Sequence, residues 1–152
     1  MFQANKEKSG LSSVPVGEIE FATLRAFLKD SDLPAEDIRL GGNEFFLYYN
    51  RETVIGSGGL EFYGDHCLLR SVAVAREMRG KGLGKGVVDD LVARAKERGA
   101  RSISLLTETA AVFFEGLGFR KLPRERAPKE IATSSEFTSV CPVSATFMIK
   151  EL

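Results

Sequence analysis

One continuous run constrains this chain more than any other feature. The apolar stretch Leu68-Leu69-Arg70-Ser71-Val72-Ala73-Val74 leads into Arg79-Gly80-Lys81-Gly82-Leu83-Gly84-Lys85-Gly86 and then into a helical pattern. The first part, rich in β-branched and apolar residues, reads as a strand. In the last part Leu83, Val87, Val88, Leu91, Val92 and Ala95 fall on one face at helical spacing, and Gly99 follows as a C-cap residue. A strand that feeds a glycine-rich loop and then a helix leaves backbone N–H groups unpaired at the positive end of the helix dipole. Glycines let a ligand approach that backbone without a Cβ in the way. Arg79, Lys81 and Lys85 add charge, so the loop reads as an anion site suited to a pyrophosphate. A glycine-rich turn without a ligand is the plainer alternative.

The rest of the chain supplies a mixed set of elements. Residues 1–11 read as a loose polar tail, and residues 12–152 as a single domain. Glu18 to Leu28 has helical spacing, and Ser31 to Ile38, with Pro34 in its first turn, predicts a second short helix. Glu44 to Tyr49, Thr53 to Tyr63 and His66 to Val74 read as strands, the last two joined by a Gly64-Asp65 hairpin turn. Gly56, Gly58 and Gly59 mark a bulge or a close backbone approach. Arg101 to Leu106 is a strand, Ala110 to Leu117 a helix, Phe119 to Leu122 a short strand, and Val143 to Ile149 a closing strand. A weak helical patch surrounds Ile131. Hairpin strands followed by strand-helix-strand predict an α/β layer architecture with one crossover helix.

Composition removes several classes. The 152 residues balance 21 basic against 21 acidic side chains, which argues against a dedicated nucleic-acid binder. Charge is uneven, at −3 over residues 1–50 and +6 over residues 76–129, which fits a local anionic ligand, with solvated helix faces as the plainer alternative. No stretch approaches the ~20 apolar residues of a membrane-spanning helix, and the N-terminal residues lack the apolar core of a secretory signal. A cytoplasmic protein with no membrane partner is the expectation. One histidine and two cysteines, without CxxC or HExxH spacing, predict no metal site.

The loop fits neither the Walker A pattern nor the dinucleotide fingerprint, since Arg79, Lys85, Gly86 and Val87 stand where those motifs need other residues. It does fit Arg-x-x-Gly-x-Gly after a Val-x-Val strand, which resembles motif A of the GNAT acetyltransferase superfamily. Downstream, Ala110, Phe113, Gly118 and Phe119 match motif B of that superfamily in register. The resemblance implies a three-layer αβα fold with a mixed, splayed central sheet of about six to seven strands. It also implies acetyl-CoA as cosubstrate, held by Val72, Ala73 and Val74 at pantetheine and by Arg79, Gly80, Lys81, Gly82, Leu83, Gly84 and Lys85 at pyrophosphate. Thr107, Ala110, Phe113 and Phe114 complete the implied cofactor contacts. Departures fall on the acid–base half. Thr107 replaces a common Asn, Phe114 a common Tyr, Arg76 a frequent Pro, and Leu69 stands where some relatives carry a glutamate. A narrower resemblance, carried by segments such as Leu33-Pro34-Ala35-Glu36-Asp37 and Cys141-Pro142-x-Ser144-Ala145, points to the arsenic-resistance N-acetyltransferase branch.

Strand alternation and the hairpin turn place Glu61, Tyr63, His66, Leu68 and Arg70 on one face, with Leu60, Phe62, Cys67, Leu69 and Ser71 on the other. Glu61 is the first candidate base, and an ion pair with Arg70 is its alternative role. Glu108 is the second, and charge compensation at a helix start is its alternative. Arg70, Ser71 and Cys141 are candidates for the acceptor side. The implied reaction moves acetyl from acetyl-CoA to the primary amine of a small, amino-acid-like acceptor, by direct transfer in a ternary complex. The rival reading is a non-catalytic acyl-CoA-binding module, which Leu69 and Phe114 favour. A GNAT protein acting on macromolecules finds little support in the neutral charge. Folds of this kind commonly form homodimers.

Overall fold

Phe45-Phe46-Leu47-Tyr48 shows why the chain forms layers, because all four side chains are buried although a strand sends neighbours to opposite faces. Both faces must therefore be covered. The structure, a computed structural model, describes residues 5–6 and 11–152. Its strands are β1 (Asn5–Lys6), β2 (Ser12–Pro15), β3 (Glu44–Asn50), β4 (Thr53–Tyr63), β5 (His66–Val74), β6 (Ser102–Thr107), β7 (Arg120–Lys121) and β8 (Thr146–Glu151). The helices are α1 (Glu18–Asp30), α2 (Leu83–Glu97), α3 (Ala111–Glu115) and α4 (Lys129–Ala132).

The strands run in the order β1-β2-β3-β4-β5-β6-β8-β7. β2–β3, β3–β4, β6–β8 and β7–β8 pair antiparallel, whereas β5 and β6 are parallel with α2 as their crossover. The sheet is mixed, as expected, and among the described residues it has eight strands. Two of the eight, β1 and β7, are two residues long. Most of the expected loose tail lies outside the described residues. The β5–β6 ladder covers His66–Leu68 against Ser102–Ser104, and β5 then continues to Val74.

The chain divides into two compact units, Met1–Leu60 with Ser71–Leu91, and Glu61–Arg70 with Val92–Leu152. In the first, Leu24 and Leu28 of α1 cluster with Phe45, Leu47, Ala35 and Ile38. On the opposite face, Tyr48 donates a 2.6 Å hydrogen bond to Asp90 of α2. In the second, Leu68, Phe147 and Ile149 pack with Ile131 of α4.

One expectation needs correction. Ser31 to Ile38 forms turns, not a helix. Asp32 is left-handed at φ 57°, and Leu33 N–H closes back on Leu28 O. Pro34 disfavours a helical Leu33, and Ala35 and Ile38 are buried against α1. The β3–β4 register passes from Tyr48↔Gly56 to Tyr49↔Val54, so the extra residue of the bulge is Ile55, beside Gly56, as the glycine pattern of β4 allows.

Those glycines serve close packing. A Cβ at Gly59 would collide with the Phe45 ring, and one at Gly58 with the Leu91 side chain. An aromatic ring wedged in a core yields less than a leucine tip. Gly59→Ala is therefore expected to cost about 1–3 kcal/mol, and Gly58→Ala less. Urea unfolding of both variants checks this ranking, and a Gly59→Ala midpoint equal to wild type would refute it.

Candidate functional site

Gly80 and Gly82 have φ of 80° and 79°, a conformation that L side chains rarely adopt. A Cβ at either would meet no atom within 4 Å, so the glycines are there for the backbone path and leave open space beside it. α2 begins at Leu83, and the N–H groups of Leu83, Gly84 and Lys85 reach no carbonyl among the described residues. That is the donor set an anion needs. Arg79 turns back to donate from Nε to Val74 O at 3.0 Å, tying the loop to the end of β5. Lys85 pairs with Asp89 at 2.6 Å, and both are exposed.

The strand before the loop is not regular. Ser71 has φ 59° in the middle of β5, and its carbonyl accepts a 2.7 Å hydrogen bond from Ser57 Oγ. A left-handed serine inside a strand costs about 1–3 kcal/mol and persists only where its surroundings fix it. Sequence patterning gave no sign of this twist. Beyond it, Ala73 is buried while Val72 and Val74 are half-buried, so the two valines share the more open face.

The second unit carries a buried polar network on the predicted face. Arg70 Nη1 lies 3.1 Å from Glu61 Oε2, and Arg70 Nε lies 3.4 Å from Glu136 Oε1. The side chains of Arg70, Glu61 and Glu136 are 0%, 5% and 7% exposed. Tyr63 OH donates to Glu61 Oε1 at 2.8 Å, and Cys141 Sγ donates to Glu136 Oε2 at 3.1 Å. Each of the four carboxylate oxygens thus has a donor. The ion pair foreseen for Glu61 and Arg70 is present, and Arg70 has a second carboxylate partner besides. Sequence reasoning missed Glu136, which lies in the π-helical turn Glu136–Val140, far along the chain from Arg70.

Glu108 is exposed just past β6, close enough for its charge to act on Cys141. Thr107 Oγ1 accepts the Ala110 N–H at 3.0 Å, so the threonine shapes the turn into α3. Phe114 is buried edge-on to Phe119, with ring centres 5.5 Å apart, while Phe113 is exposed. His66 Nδ1 lies 2.8 Å from Ser102 Oγ. Among the described residues no group of three or more His, Cys, Asp or Glu side chains is arranged to hold a metal ion. Likewise, no helix is long and apolar enough to cross a membrane.

Burial, then the charge and hydrogen bond of Glu136, push the Cys141 thiol up to about 12, with Arg70 opposing. The folded state therefore keeps a proton that the unfolded chain releases near the ordinary thiol value of about 8.5. The stability this contributes is complete below that value and is lost as pH rises towards about 12. Wild type is expected to lose stability above about pH 8.5 more steeply than Cys141→Ser. Urea midpoints across pH 7–11 test this, and parallel slopes would contradict it.

Comparison with known proteins gives the family and the fold. The sequence model of the acetyltransferase (GNAT) family matches residues 15–119, more than half of the chain. An uncharacterized N-acetyltransferase of Chlorobaculum tepidum is 32% identical over 89 residues, covering 58% of this chain and 57% of that protein. The chain thus spans little more than half the length of this curated relative. Among solved structures, a GNAT-family acetyltransferase of Staphylococcus aureus superposes with TM-score 0.69 at 19% identity, over 93% of this chain and 99% of that one. N-acetylglutamate synthase of Neisseria gonorrhoeae, complexed with coenzyme A and N-acetyl-glutamate, reaches TM-score 0.76 at 13% identity, over 96% of this chain and 36% of that one. The family match over both the glycine loop and the Phe113–Phe119 segment, together with the shared αβα fold, establishes that this chain belongs to the GNAT acetyltransferase family.

Proposed function

We propose that this protein transfers an acetyl group from acetyl-CoA to the primary amine of a small, amino-acid-like acceptor by direct transfer in a ternary complex. The observation that carries the reading is the loop at Arg79–Lys85. Its left-handed glycines leave open space beside the backbone, and three N–H groups await an acceptor at the start of α2. A pyrophosphate fits that donor set, and Lys81 adds an exposed cation. Val72, Ala73 and Val74 offer the strand backbone for pantetheine, and Thr107, Ala110, Phe113 and Phe114 the remaining cofactor contacts. Acetyl-CoA supplies the activated acetyl group when bound.

The chain's own groups orient the acceptor and exclude water. Arg70, Ser71 and Cys141 are assigned to the acceptor side, with Glu61 and Glu108 as the carboxylates that take up protons.

A second reading, a non-catalytic acyl-CoA-binding module, is favoured by one observation. Phe114, where relatives commonly carry a tyrosine, packs its ring against Phe119 and has no hydroxyl to offer.

Calorimetric titration with acetyl-CoA, with NADH as control, tests the cofactor half. Saturable acetyl-CoA binding is expected, and Lys81→Ala is expected to weaken it by about three- to tenfold through a lost charge-assisted contact. Absence of acetyl-CoA binding at millimolar concentration would overturn the assignment of the loop. Thiol release across an amine panel then separates the readings. Release with an amino-acid-like amine is expected, and binding without release for any amine favours the binding module.

A further inference from the structure

Glu136 lies outside every motif in the chain, yet it touches two of the acceptor-side candidates at once. Its Oε1 holds Arg70 Nε at 3.4 Å, and its Oε2 accepts from Cys141 Sγ at 3.1 Å. It is buried, and Cys141 N–H also bonds to Glu136 O at 2.9 Å. The π-helical turn Glu136–Val140 is therefore closed on itself through the backbone and fastened to β5 through the carboxylate. Burying a carboxylate is costly unless charge and hydrogen bonds compensate it, and the Arg70 guanidinium and the Cys141 thiol contribute to that here.

We infer that Glu136 is the positioning residue of the acceptor side: one side chain fixes both the Arg70 guanidinium and the Cys141 thiol. This rests on the acetyltransferase reading and extends it to a residue that no sequence feature assigns. The consequence is chemical. A thiol whose single hydrogen is committed to a carboxylate has only sulfur lone pairs left to offer, and these take an N–H donor. An Arg70 already held by Glu61 and Glu136 is a fixed cation, not a mobile one. The group that suits this sulfur is one presenting an N–H, as an amine does.

Cys141 reports on Glu136 directly, because Cys67 is the other cysteine of the chain and is buried. The groups acting on the thiol are Glu136, Arg70 and Glu108. Iodoacetamide alkylation of the full-length protein, followed by mass spectrometry from pH 7 to 10, measures the thiolate available. Glu136→Gln is expected to raise the alkylation rate of Cys141 at pH 8 about tenfold, the effect of roughly one unit of thiol acidity. It is also expected to leave the calorimetric affinity for acetyl-CoA unchanged and to raise KM for the acceptor amine more than KM for acetyl-CoA. An unchanged alkylation rate overturns the inference. So does a loss of acetyl-CoA affinity in a variant that still unfolds cooperatively. If Glu136→Gln does not fold, two measurements decide instead. Wild-type alkylation with a midpoint near that of a free thiol overturns the inference. Faster Cys141 alkylation in Glu136→Asp, whose shorter side chain draws the carboxylate away from the thiol, supports the inference, and an unchanged rate overturns it. Failure of wild type to bind acetyl-CoA would instead overturn the acetyltransferase reading, with the alkylation result still standing.

Discussion

A guanidinium buried among carboxylates is the interaction on which the second unit depends. Removing Arg70, Glu61 and Glu136 from water costs several kcal/mol per ion, and only full pairing offsets it. The geometry meets that condition, since Tyr63 and Cys141 serve the two carboxylate oxygens that Arg70 does not. Truncating one member would strand a buried charge at a cost of about 3–5 kcal/mol. Apolar side chains of equal volume would hold the strands together as well, so the polar arrangement is not needed for stability alone. Buried, paired ionisable groups of this kind occur at functional sites as well as in structural ion networks.

The first unit is organised by backbone conformation. Gly80 and Gly82 carry the loop through left-handed space, and Gly58 and Gly59 let a helix and an aromatic ring approach β4 closely. Ser71 accepts the same left-handed strain without being glycine, and its carbonyl is fixed by Ser57. β5 is thus one strand with two tasks. Its first half carries Arg70 into the ion network, and its second half, beyond the twist at Ser71, leads to the glycine-rich loop that opens α2.

Much of this was legible in the residues because the controlling signals are local. Thr53–Tyr63 and His66–Val74 have the predicted bounds, since alternation, β-branching and the Gly64-Asp65 turn all act within a few positions. The same alternation brings Glu61, Tyr63 and Arg70 together. The signal fails where tertiary contacts decide. Ser31 to Ile38 has helical propensity, but burial of Ala35 and Ile38 against α1 and the left turn at Asp32 override it. Glu136 was invisible because its partner Arg70 is far away in sequence and its turn has no regular period. Ser71 was read as a side chain when its backbone is the notable feature.

The network also bears on where protons go in the proposed reaction. Moving acetyl from a thioester to a neutral amine gives an amide and a thiol, so the proton lost by nitrogen equals the proton gained by sulfur. A tyrosine commonly mediates that exchange in related proteins, and here its place is taken by Phe114, a ring packed on Phe119. Cys141 is a poor substitute, because burial and Glu136 hold its proton up to about 12. A donor held that tightly gives up its proton less readily than the thiol being formed, whose ordinary value is about 8.5. The balance closes without either side chain if the proton leaving the amine passes to the departing sulfur through water or a carboxylate such as Glu108, which is exposed. In the proposed reaction the Arg70 network would position the amine, and a carboxylate or a water would carry its proton to the departing sulfur.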